Sequence, residues 1–494
     1  MDTEAPWFGE ASTEQLLADL EAFRRSVVAS GAGILAELGC AQDDPALINL
    51  AQYVALRRED LRPLQQQLMW RGLSSLGRLE SRVLPTLDAT LAALAALAGR
   101  PAPFPAPTEQ AFLAGQLRLQ QATDRMFGPP LARRRTRIMV TLPSAAADDP
   151  GLVLDYARCG MDIARINCAH DDHDAWRAMA RHVRAAGHEV DRHLTILMDI
   201  AGPKIRTAQV AAPKNDRARL GPGDVFRLVA SGAPRTDADV PVCASVTLPE
   251  IVTQLAIGDR VRYDDGRLEG LVERKQAGEV LVRVTAARSG GTKLKPAKGL
   301  NLPDTTLNLA PLTDKDQADL SVVVECADVL GYSFVSRPGD IDLLEAALAP
   351  CGERGKSLGL VAKVERPEAI SNLPDLIARA AGRRPLSIMI ARGDLAAEIG
   401  FERLAEMQEE ILWICEAAGV PAIWATQVLE GLIKDGVPSR GEMTDAAMAG
   451  RAECVMLNKG PALTVAIEVL DRLLSRMDRN MFKKTPTLRA LKSW

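Results

Sequence analysis

Apolar residues recur with the 3.6-residue period of helices through the first 130 residues of the chain. Ser12 to Gln15 fit a capping box that opens a helix running towards Val28. The same pattern predicts further helices at 47–58, 61–70, 79–97 and 108–126, with a proline-rich linker at 100–107. We therefore predict an α-helical N-terminal domain over residues 1–130.

From residue 131 the pattern changes to apolar runs of strand length, each followed by a helical stretch. Eight such runs lie at 133–142, 161–170, 194–207, 327–335, 358–365, 386–393, 420–427 and 452–459. Eight β–α units predict a (β/α)₈ TIM barrel of the α/β class. Its first part spans 131–207 and its second part 299–478, with a C-terminal tail at 479–494.

The segment 208–298 interrupts this alternation after the third strand. Its short alternating runs and glycine-containing turns lack a long helical period. Such a pattern is typical of strands joined by hairpins. We predict a small inserted β domain over residues 208–298.

Composition, net charge and cysteine distribution limit the classes of protein to which this chain can belong. The 494 residues are 47% hydrophobic and have a net charge of −4, which excludes a nucleic-acid coat and argues for a folded core. The N-terminus lacks a signal-peptide core, and no window is apolar enough to cross a membrane. The eight cysteines are scattered, as in a reducing cytoplasm. The basic run 133–135 is expected to be a solvated strand entrance.

Charged residues follow two neighbouring predicted strands. The fifth strand ends in Lys363 and Glu365, and the sixth in Arg392 and Asp394. Strand ends of a parallel barrel share one face, so the two carboxylates could hold Mg²⁺ through oxygen, with a lysine beside it to stabilise a phosphoryl group or an enolate. The alternative is structural: Lys363 and Glu365 form a surface pair, and Asp394 caps a helix.

Ten ordered motifs between residues 134 and 475 resemble those of the pyruvate kinase family. They are ARINCAH, MDIAGPKIRT, YDDG, KGLNLP, DKDQADL, GYSFVSRPGD, AKVERPEA, ARGDLAAEIG, ATQVLE and SRGEMTDAAMA. The resemblance implies a barrel with a small β-barrel lid. It also implies Mg²⁺-dependent (or Mn²⁺-dependent) transfer of phosphate from phosphoenolpyruvate to ADP, giving pyruvate and ATP.

The resemblance also implies roles for individual residues. Lys363 matches the catalytic lysine, Thr426 the threonine near the carbon that is protonated, and Arg165 an arginine that contacts phosphate. Glu365 and Asp394 match the metal ligands. The substrate would further be bound by Gly393, Asp394 and Ser333. The nucleotide side would involve Asn167, His170, Lys298 and Asp265, and Arg206 would be braced against a carboxylate.

The chain departs from the family at the monovalent-cation site. Asn167 and Asp199 match that site, but Ala169 and Ile200 replace two oxygen ligands, and Lys204 replaces a glutamate. This resembles the potassium-independent branch, because the Lys204 ammonium can supply the charge of K⁺. We therefore expect that K⁺ is not required.

Other departures concern the loops and the ends of the chain. The turns at 142–145 and 458–461 differ from the family, and the sequence ends at Trp494 without the family's C-terminal regulatory domain. Regulation and oligomeric state are therefore not implied, although a homo-oligomer or a partner could form through the N-terminal helices. Two other functions remain open: a non-catalytic sensor of phosphoenolpyruvate or nucleotide, and a Mg²⁺-dependent lyase that handles pyruvate enolate.

Overall fold

The structure is a computed structural model that describes residues 11–39, 43–214, 218–264, 266–307 and 309–486. The helical pattern of the N-terminal region is reproduced. Its described residues form α1 (Thr13–Glu37), α2 (Pro45–Arg57), α3 (Arg62–Met69), α4 (Val83–Leu97) and α5 (Glu109–Phe127). We refer to these five helices as the helical head.

Helix α1 begins where the sequence predicts and ends later. The Ser12 hydroxyl accepts a hydrogen bond from the Gln15 backbone N–H at 3.1 Å, as an N-cap does. The helix then continues past Val28, because Ile34 and Leu35 extend the buried stripe of the same helix. At Gly31 a Cβ would lie 3.1–3.3 Å from Gln52, so the absence of a side chain lets α2 approach closely.

The first barrel segment follows the head. Its elements are β1 (Arg137–Thr141), α6 (Pro150–Cys159), β2 (Ile163–Asn167), α7 (His173–Glu189) and β3 (Thr195–Asp199). All three strands are buried along almost their whole length, as expected of parallel strands covered on both faces.

The inserted lid follows β3. It contains β4 (Thr207–Ala211), β5 (Arg219–Leu220), β6 (Val225–Val229), β7 (Cys243–Val246), α8 (Glu250–Gln254), β8 (Arg260–Tyr263), β9 (Leu268–Gln276), β10 (Glu279–Ala287), β11 (Thr292–Lys293) and β12 (Leu300–Asn301). Seven strands form one mixed sheet in the order β12-β8-β9-β10-β6-β7-β4, and β11 pairs with β5. The lid has its own hydrophobic core, which includes Phe226, Leu228 and Val282.

The chain then returns to complete the barrel. The remaining elements are α9 (Asp314–Cys326), β13 (Val329–Tyr332), α10 (Pro338–Leu348), α11 (Gly352–Ser357), β14 (Gly359–Val364), α12 (Pro367–Ser371), α13 (Leu373–Ala380), β15 (Leu386–Ala391), α14 (Arg392–Ile399), α15 (Phe401–Ala417), β16 (Ala422–Ala425), α16 (Glu430–Asp435), α17 (Arg440–Ala449), β17 (Cys454–Leu457), α18 (Leu463–Met477) and the hairpin β18 (Met481–Phe482) and β19 (Thr485–Pro486). The eight parallel strands close in the order β1-β17-β16-β15-β14-β13-β3-β2. The predicted (β/α)₈ barrel with its insertion and helical head is confirmed.

The helical head closes the base of the barrel. Met126 and Phe127, at the end of α5, are 2% and 1% exposed and pack into the inner core with residues from the barrel strands, including Met139, Leu197 and Met389. At Gly359, at the start of β14, a Cβ would lie 3.0 Å from the Met126 sulfur. We call Met126 and Phe127 the basal plug.

We expect Phe127→Ala to lower the free energy of unfolding by about 3–5 kcal/mol, because it leaves a cavity in a closely packed core. Urea unfolding followed by circular dichroism measures this change. Leu117→Ala on the same helix is the matched control, because Leu117 is 49% exposed, and it should change stability by less than about 0.5 kcal/mol. Equal effects of the two substitutions would contradict a plug.

The predicted solvated entrance to β1 is wrong for Arg134, whose side chain is 0% exposed. Its guanidinium donates to Asp162 at 2.6 Å, to Asp471 at 2.7 Å and to the Thr136 and Gly160 carbonyl oxygens. The two carboxylates, Asp162 and Asp471, lie 28 and 337 residues away in the sequence, so the charged run alone could not indicate burial. The interaction joins the start of β1 to α18 near the end of the barrel.

Candidate active site

The C-terminal ends of the barrel strands surround a cavity of about 120 Å³. Side chains alternate along a strand, so Lys363 and Glu365 face the same side, as do Arg165 and Asn167. The cavity is lined by the predicted site residues Arg165, Asn167, Asp199, Lys204, Ser333, Lys363, Glu365, Asp394 and Thr426. The structure therefore brings together residues from six strand ends and from the loop that leads into the lid.

Lys363 lies at the centre of the charges in this cavity. Its ammonium donates to the Ser333 hydroxyl at 2.8 Å and pairs with Glu365 at 3.0 Å and Asp199 at 3.3 Å. Burial alone would lower the pKa of Lys363, but Asp199 and Glu365 outweigh it, so its pKa is raised. Lys363 therefore holds a positive charge at neutral pH.

Asp199 is shared between two cations. Arg165 donates to one of its oxygens at 2.8 and 2.5 Å, and the Arg165 guanidinium also donates to the Thr141 hydroxyl at 3.1 Å. Burial alone would raise the pKa of Asp199. The positive charges of Lys363 and Arg165 have the larger effect, so the pKa of Asp199 is lowered. At Gly331 a Cβ would lie 2.9 Å from Asp199 Oδ1, so this neighbouring strand position leaves space for the carboxylate.

The two predicted metal ligands, Glu365 and Asp394, lie in the same cavity and are each held by cations or N–H groups. Glu365 Oε2 accepts from the Phe334 backbone N–H at 2.7 Å, and its other oxygen pairs with Lys363. Asp394 accepts from the Lys204 ammonium at 2.8 and 3.1 Å. The pKa of Glu365 is raised, chiefly because the carboxyl group is buried. The negative charge of Asp394 also raises this pKa, whereas the positive charge of Lys363 lowers it. Lys204, predicted at the monovalent-cation site, thus contacts Asp394 in the structure.

The loop after β16 has an unusual backbone. Thr426, Gln427 and Leu429 have φ angles of 65°, 55° and 50°, in the left-handed region. A β-branched residue seldom adopts this region, and strained residues of this kind cluster at functional sites. The Thr426 hydroxyl accepts a hydrogen bond from the Gly393 N–H at 2.8 Å, in the first turn of α14.

Two residues that support this loop were not assigned a role from the sequence. Arg392 donates to the Ala425 and Thr426 carbonyl oxygens at 3.0 and 2.6 Å, pairs with Asp445 on α17 and lies 4.7 Å from the Trp424 ring centroid. Its side chain is 9% exposed. The motifs ARGDLAAEIG and SRGEMTDAAMA contain both residues, but the contact between them depends on the tertiary fold.

The remaining predicted residues lie on the rim and in the lid. His170 is exposed, and partial burial together with Lys459 and Arg206 lowers its pKa. The Arg206 guanidinium donates weakly to the Ala297 carbonyl at 3.4 Å, where a carboxylate partner was predicted. Lys298 pairs with Asp264 at 3.1 Å. Asp265 lies outside the described residues.

Comparison with known proteins gives the same classification as the fold and the site. The family model "Pyruvate kinase, barrel domain" matches residues 133–463. The pyruvate kinase of Methylorubrum extorquens is 31% identical over 70% of this chain and 69% of its own length, and one from Agrobacterium vitis is 32% identical over the same shares. A crystal structure of a pyruvate kinase from Cryptosporidium parvum superimposes with a TM-score of 0.63 at 25% identity, covering 72% of this chain and 73% of that one.

The fold and these relatives together place the chain among the phosphotransferases that are built on a TIM barrel. The chain belongs to the pyruvate kinase family. The helical head precedes the residues that the family model matches. Among the described residues, no helix is long and apolar enough to span a membrane.

Proposed function

We propose that this protein transfers the phosphoryl group of phosphoenolpyruvate to ADP, giving pyruvate and ATP, with Mg²⁺ or Mn²⁺. The observation on which the proposal rests is the buried Lys363 ammonium, held beside Glu365 and Asp199 at the mouth of the barrel. Phosphoryl transfer needs positioning and charge neutralisation more than a protein nucleophile. A fixed positive charge in a cavity of low dielectric supplies both.

The donor set fits a hard divalent cation. Glu365 and Asp394 each offer carboxylate oxygens to the same cavity. Within the described ranges, no third histidine, cysteine, aspartate or glutamate joins them in a group suited to a metal, so the protein would supply two ligands. Mg²⁺ commonly takes one or two protein carboxylates and leaves its other positions to water and substrate phosphate. When bound, the ion would neutralise phosphate and enolate oxygens.

The substrate is expected to lie between Lys363 and the loop after β16. Arg165 and Lys363 would contact the phosphate, and Ser333 would orient Lys363 through their 2.8 Å hydrogen bond. The N–H groups at Gly393 and Asp394 would bind the substrate carboxylate, since they lie in the first turn of α14. The Gly393 N–H would exchange its hydrogen bond with the Thr426 hydroxyl for one with the substrate. Thr426 would lie near the carbon that is protonated when the enolate becomes pyruvate, as the family resemblance implies.

The nucleotide is expected between the rim and the lid. Asn167 and His170 would contribute from the second strand end. In the lid, a cavity of about 270 Å³ is lined by Lys298 and by Arg219, Arg267, Arg288, Lys293 and Lys295, which would attract a polyphosphate. Asp265 is proposed to take part on the strength of its motif alone.

An assay of pyruvate release tests this function. The purified full-length protein is supplied with phosphoenolpyruvate and ADP, with and without Mg²⁺ or Mn²⁺. We expect release that requires both ADP and the divalent ion. Binding of phosphoenolpyruvate without turnover would instead favour the sensor, and pyruvate formed from a larger carbon skeleton without nucleotide would favour the lyase.

We further propose that the reaction does not require K⁺, because the Lys204 ammonium is paired with Asp394 inside the catalytic cavity. The native protein should release pyruvate at the same rate with Na⁺ or tetramethylammonium as the only monovalent cation. Lys204→Glu should make the rate depend on K⁺, whereas Lys204→Arg should not. A native protein that is inactive without K⁺ would contradict this proposal.

We also propose a cytoplasmic location. The seven cysteines in the described part of the chain are all free thiols, which suits a reducing compartment. No role in nucleic-acid binding is proposed. That the chain forms a homo-oligomer, or binds a partner, through the helical head stays a prediction.

A further inference from the structure

A short loop beside the catalytic cavity is held in place by a helix outside that cavity. Residues 426–431 follow β16, and we call them the β16 loop. The Arg392 guanidinium donates to the Ala425 and Thr426 carbonyl oxygens at 3.0 and 2.6 Å, and it pairs with Asp445 on α17. Helix α17 is described throughout, and none of its residues lines the catalytic cavity. Asp445 is therefore connected to the cavity through Arg392.

The far end of the β16 loop is fastened to the same helix. The Gly431 N–H donates to the Glu442 carboxylate, which also accepts from the Ser439 N–H at 2.8 Å as part of a capping box. At Gly431 a Cβ would lie 3.0 Å from both Glu442 oxygens, so the absence of a side chain permits this contact. The β16 loop thus has two attachments to α17, one of them direct and one through Arg392.

The backbone of the β16 loop requires such support. Thr426, Gln427 and Leu429 all have φ angles in the left-handed region, at 65°, 55° and 50°. Residues other than glycine seldom adopt this region, and they stay there only where the surrounding structure holds them. The ladder between β15 and β16 ends at Ala425, and the Thr426 carbonyl beyond it accepts from Arg392 instead.

The Arg392 side chain is itself fixed from several sides. It is 9% exposed, and both of its terminal nitrogens contact the Asp445 carboxylate. Its guanidinium carbon lies 4.7 Å from the centroid of the Trp424 ring. A planar guanidinium can bridge a carboxylate and two carbonyl groups in one fixed orientation, whereas a lysine ammonium cannot. Asp445 therefore sets the orientation of Arg392, and Arg392 sets the course of the loop.

The same side chain links the β16 loop to α14. Arg392 directly precedes Gly393, whose N–H donates to the Thr426 hydroxyl at 2.8 Å, and Asp394 follows in the same first turn. Because Arg392 belongs to α14 and holds the Thr426 carbonyl, it fixes the distance between that turn and the loop. The position of the Thr426 side chain in the cavity therefore depends on the pair of Arg392 and Asp445.

We propose that Arg392 and Asp445 are positioning residues for the reaction and act by placing Thr426 at the first turn of α14. This inference rests on the proposed function, in which Thr426 lies near the carbon that is protonated. Neither Arg392 nor Asp445 lines the catalytic cavity, so neither would touch the substrate. Their influence falls on the pyruvate end of the site, whereas the nucleotide is expected on the side of the lid.

A double-mutant cycle distinguishes positioning from a purely structural role. We expect Asp445→Asn to lower kcat for pyruvate release about 10- to 100-fold, the effect of misplacing a group at the reacting centre. KM for ADP should stay native. Thr426→Ala removes the side chain that is positioned, so Asp445→Asn should cost only about threefold or less in that background. A further loss as large as the one in the native background would overturn the proposal.

Hydrogen–deuterium exchange of peptides that span residues 424–431 tests the same pair without turnover. We expect faster exchange of this segment in Asp445→Asn, with native rates in the rest of the barrel. Unchanged exchange of the segment would overturn the proposal. Thr444→Ala is the matched control, because Thr444 is the exposed neighbour of Asp445 on α17 and its hydroxyl donates to the Arg440 carbonyl at 3.1 Å. It should leave exchange and kcat at native values.

Pyruvate release by the native protein separates failure of this inference from failure of the proposed function. A native protein that releases no pyruvate would refute the proposed function, and exchange would still show whether Asp445 holds the loop. An active native protein together with a folded Asp445→Asn variant of native kcat would refute the positioning role alone. Thermal unfolding checks that the variant is folded. If it is not, Arg392→Lys takes its place with the same expected results, because lysine keeps the charge and loses the bridge.

Discussion

Replacing Lys363 with methionine is expected to lower kcat for pyruvate release by about 10³–10⁵-fold, the range seen when a cation that stabilises a transferring phosphoryl group is removed. Lys363 is the buried cation between Asp199 and Glu365, and methionine keeps the length of the side chain without its charge. The effect should fall on kcat more than on KM, because the charge matters most in the transition state.

The control for this variant is Lys356→Met, at an exposed lysine paired with Glu353, which should retain full activity. Lys363→Met leaves the buried Glu365 carboxylate without its cation and leaves Asp199 paired with Arg165 alone, so circular dichroism must first show that the variant is folded. Binding of phosphoenolpyruvate by the folded variant then separates chemistry from binding. A folded Lys363→Met protein with near-native kcat would refute the proposed mechanism.

Asp394→Asn is expected to weaken the apparent affinity for the divalent cation by about 100-fold or more, equivalent to ~2.7 kcal/mol. The amide is a neutral and poorer ligand than the carboxylate. Electron paramagnetic resonance of free Mn²⁺ measures this affinity directly, and the metal dependence of pyruvate release measures it in turnover.

Asp342→Asn provides the comparison, because Asp342 is a half-buried aspartate on α10, remote from the cavity, that pairs with Arg379 and Arg383. It should leave Mn²⁺ affinity unchanged. Asp394→Asn also leaves the Lys204 ammonium without its partner. The double variant Asp394→Asn with Lys204→Gln removes this unpaired charge, so any loss of Mn²⁺ affinity that persists in it comes from the lost ligand. If the Asp394→Asn variant bound Mn²⁺ with the affinity of the native protein, Asp394 would not be a metal ligand.

The barrel could be predicted because each strand is a short apolar run that ends in polar residues and is followed by a helical period. The same pattern placed Lys363, Glu365 and Asp394 at strand ends, and parallel strands bring such ends together. The lid was recognisable because residues 208–298 lack a long helical period. These features depend on the order of apolar and polar residues within short segments, so they can be recognised from the sequence without knowledge of the tertiary structure.

The contacts that could not be predicted join residues far apart in the chain. Arg134 and Asp471 are 337 residues apart, and Lys204 and Asp394 are 190 apart. A charged residue is usually solvent-exposed, so the sequence favoured exposure for Arg134 until its acceptors were known. The strained loop at Thr426 and its support by Arg392 and Asp445 are likewise consequences of tertiary packing.

The basal plug has a consequence for synthesis of the protein. Met126 and Phe127 leave the ribosome before any of the strands that later surround them, and β17, which closes the ring against β1, is the last of the eight barrel strands to be made. Contacts between distant parts of a chain form slowly. The native packing of these two large apolar side chains is therefore complete only after β17 has been made, and we expect the segment to be open to chaperones that bind growing chains until then.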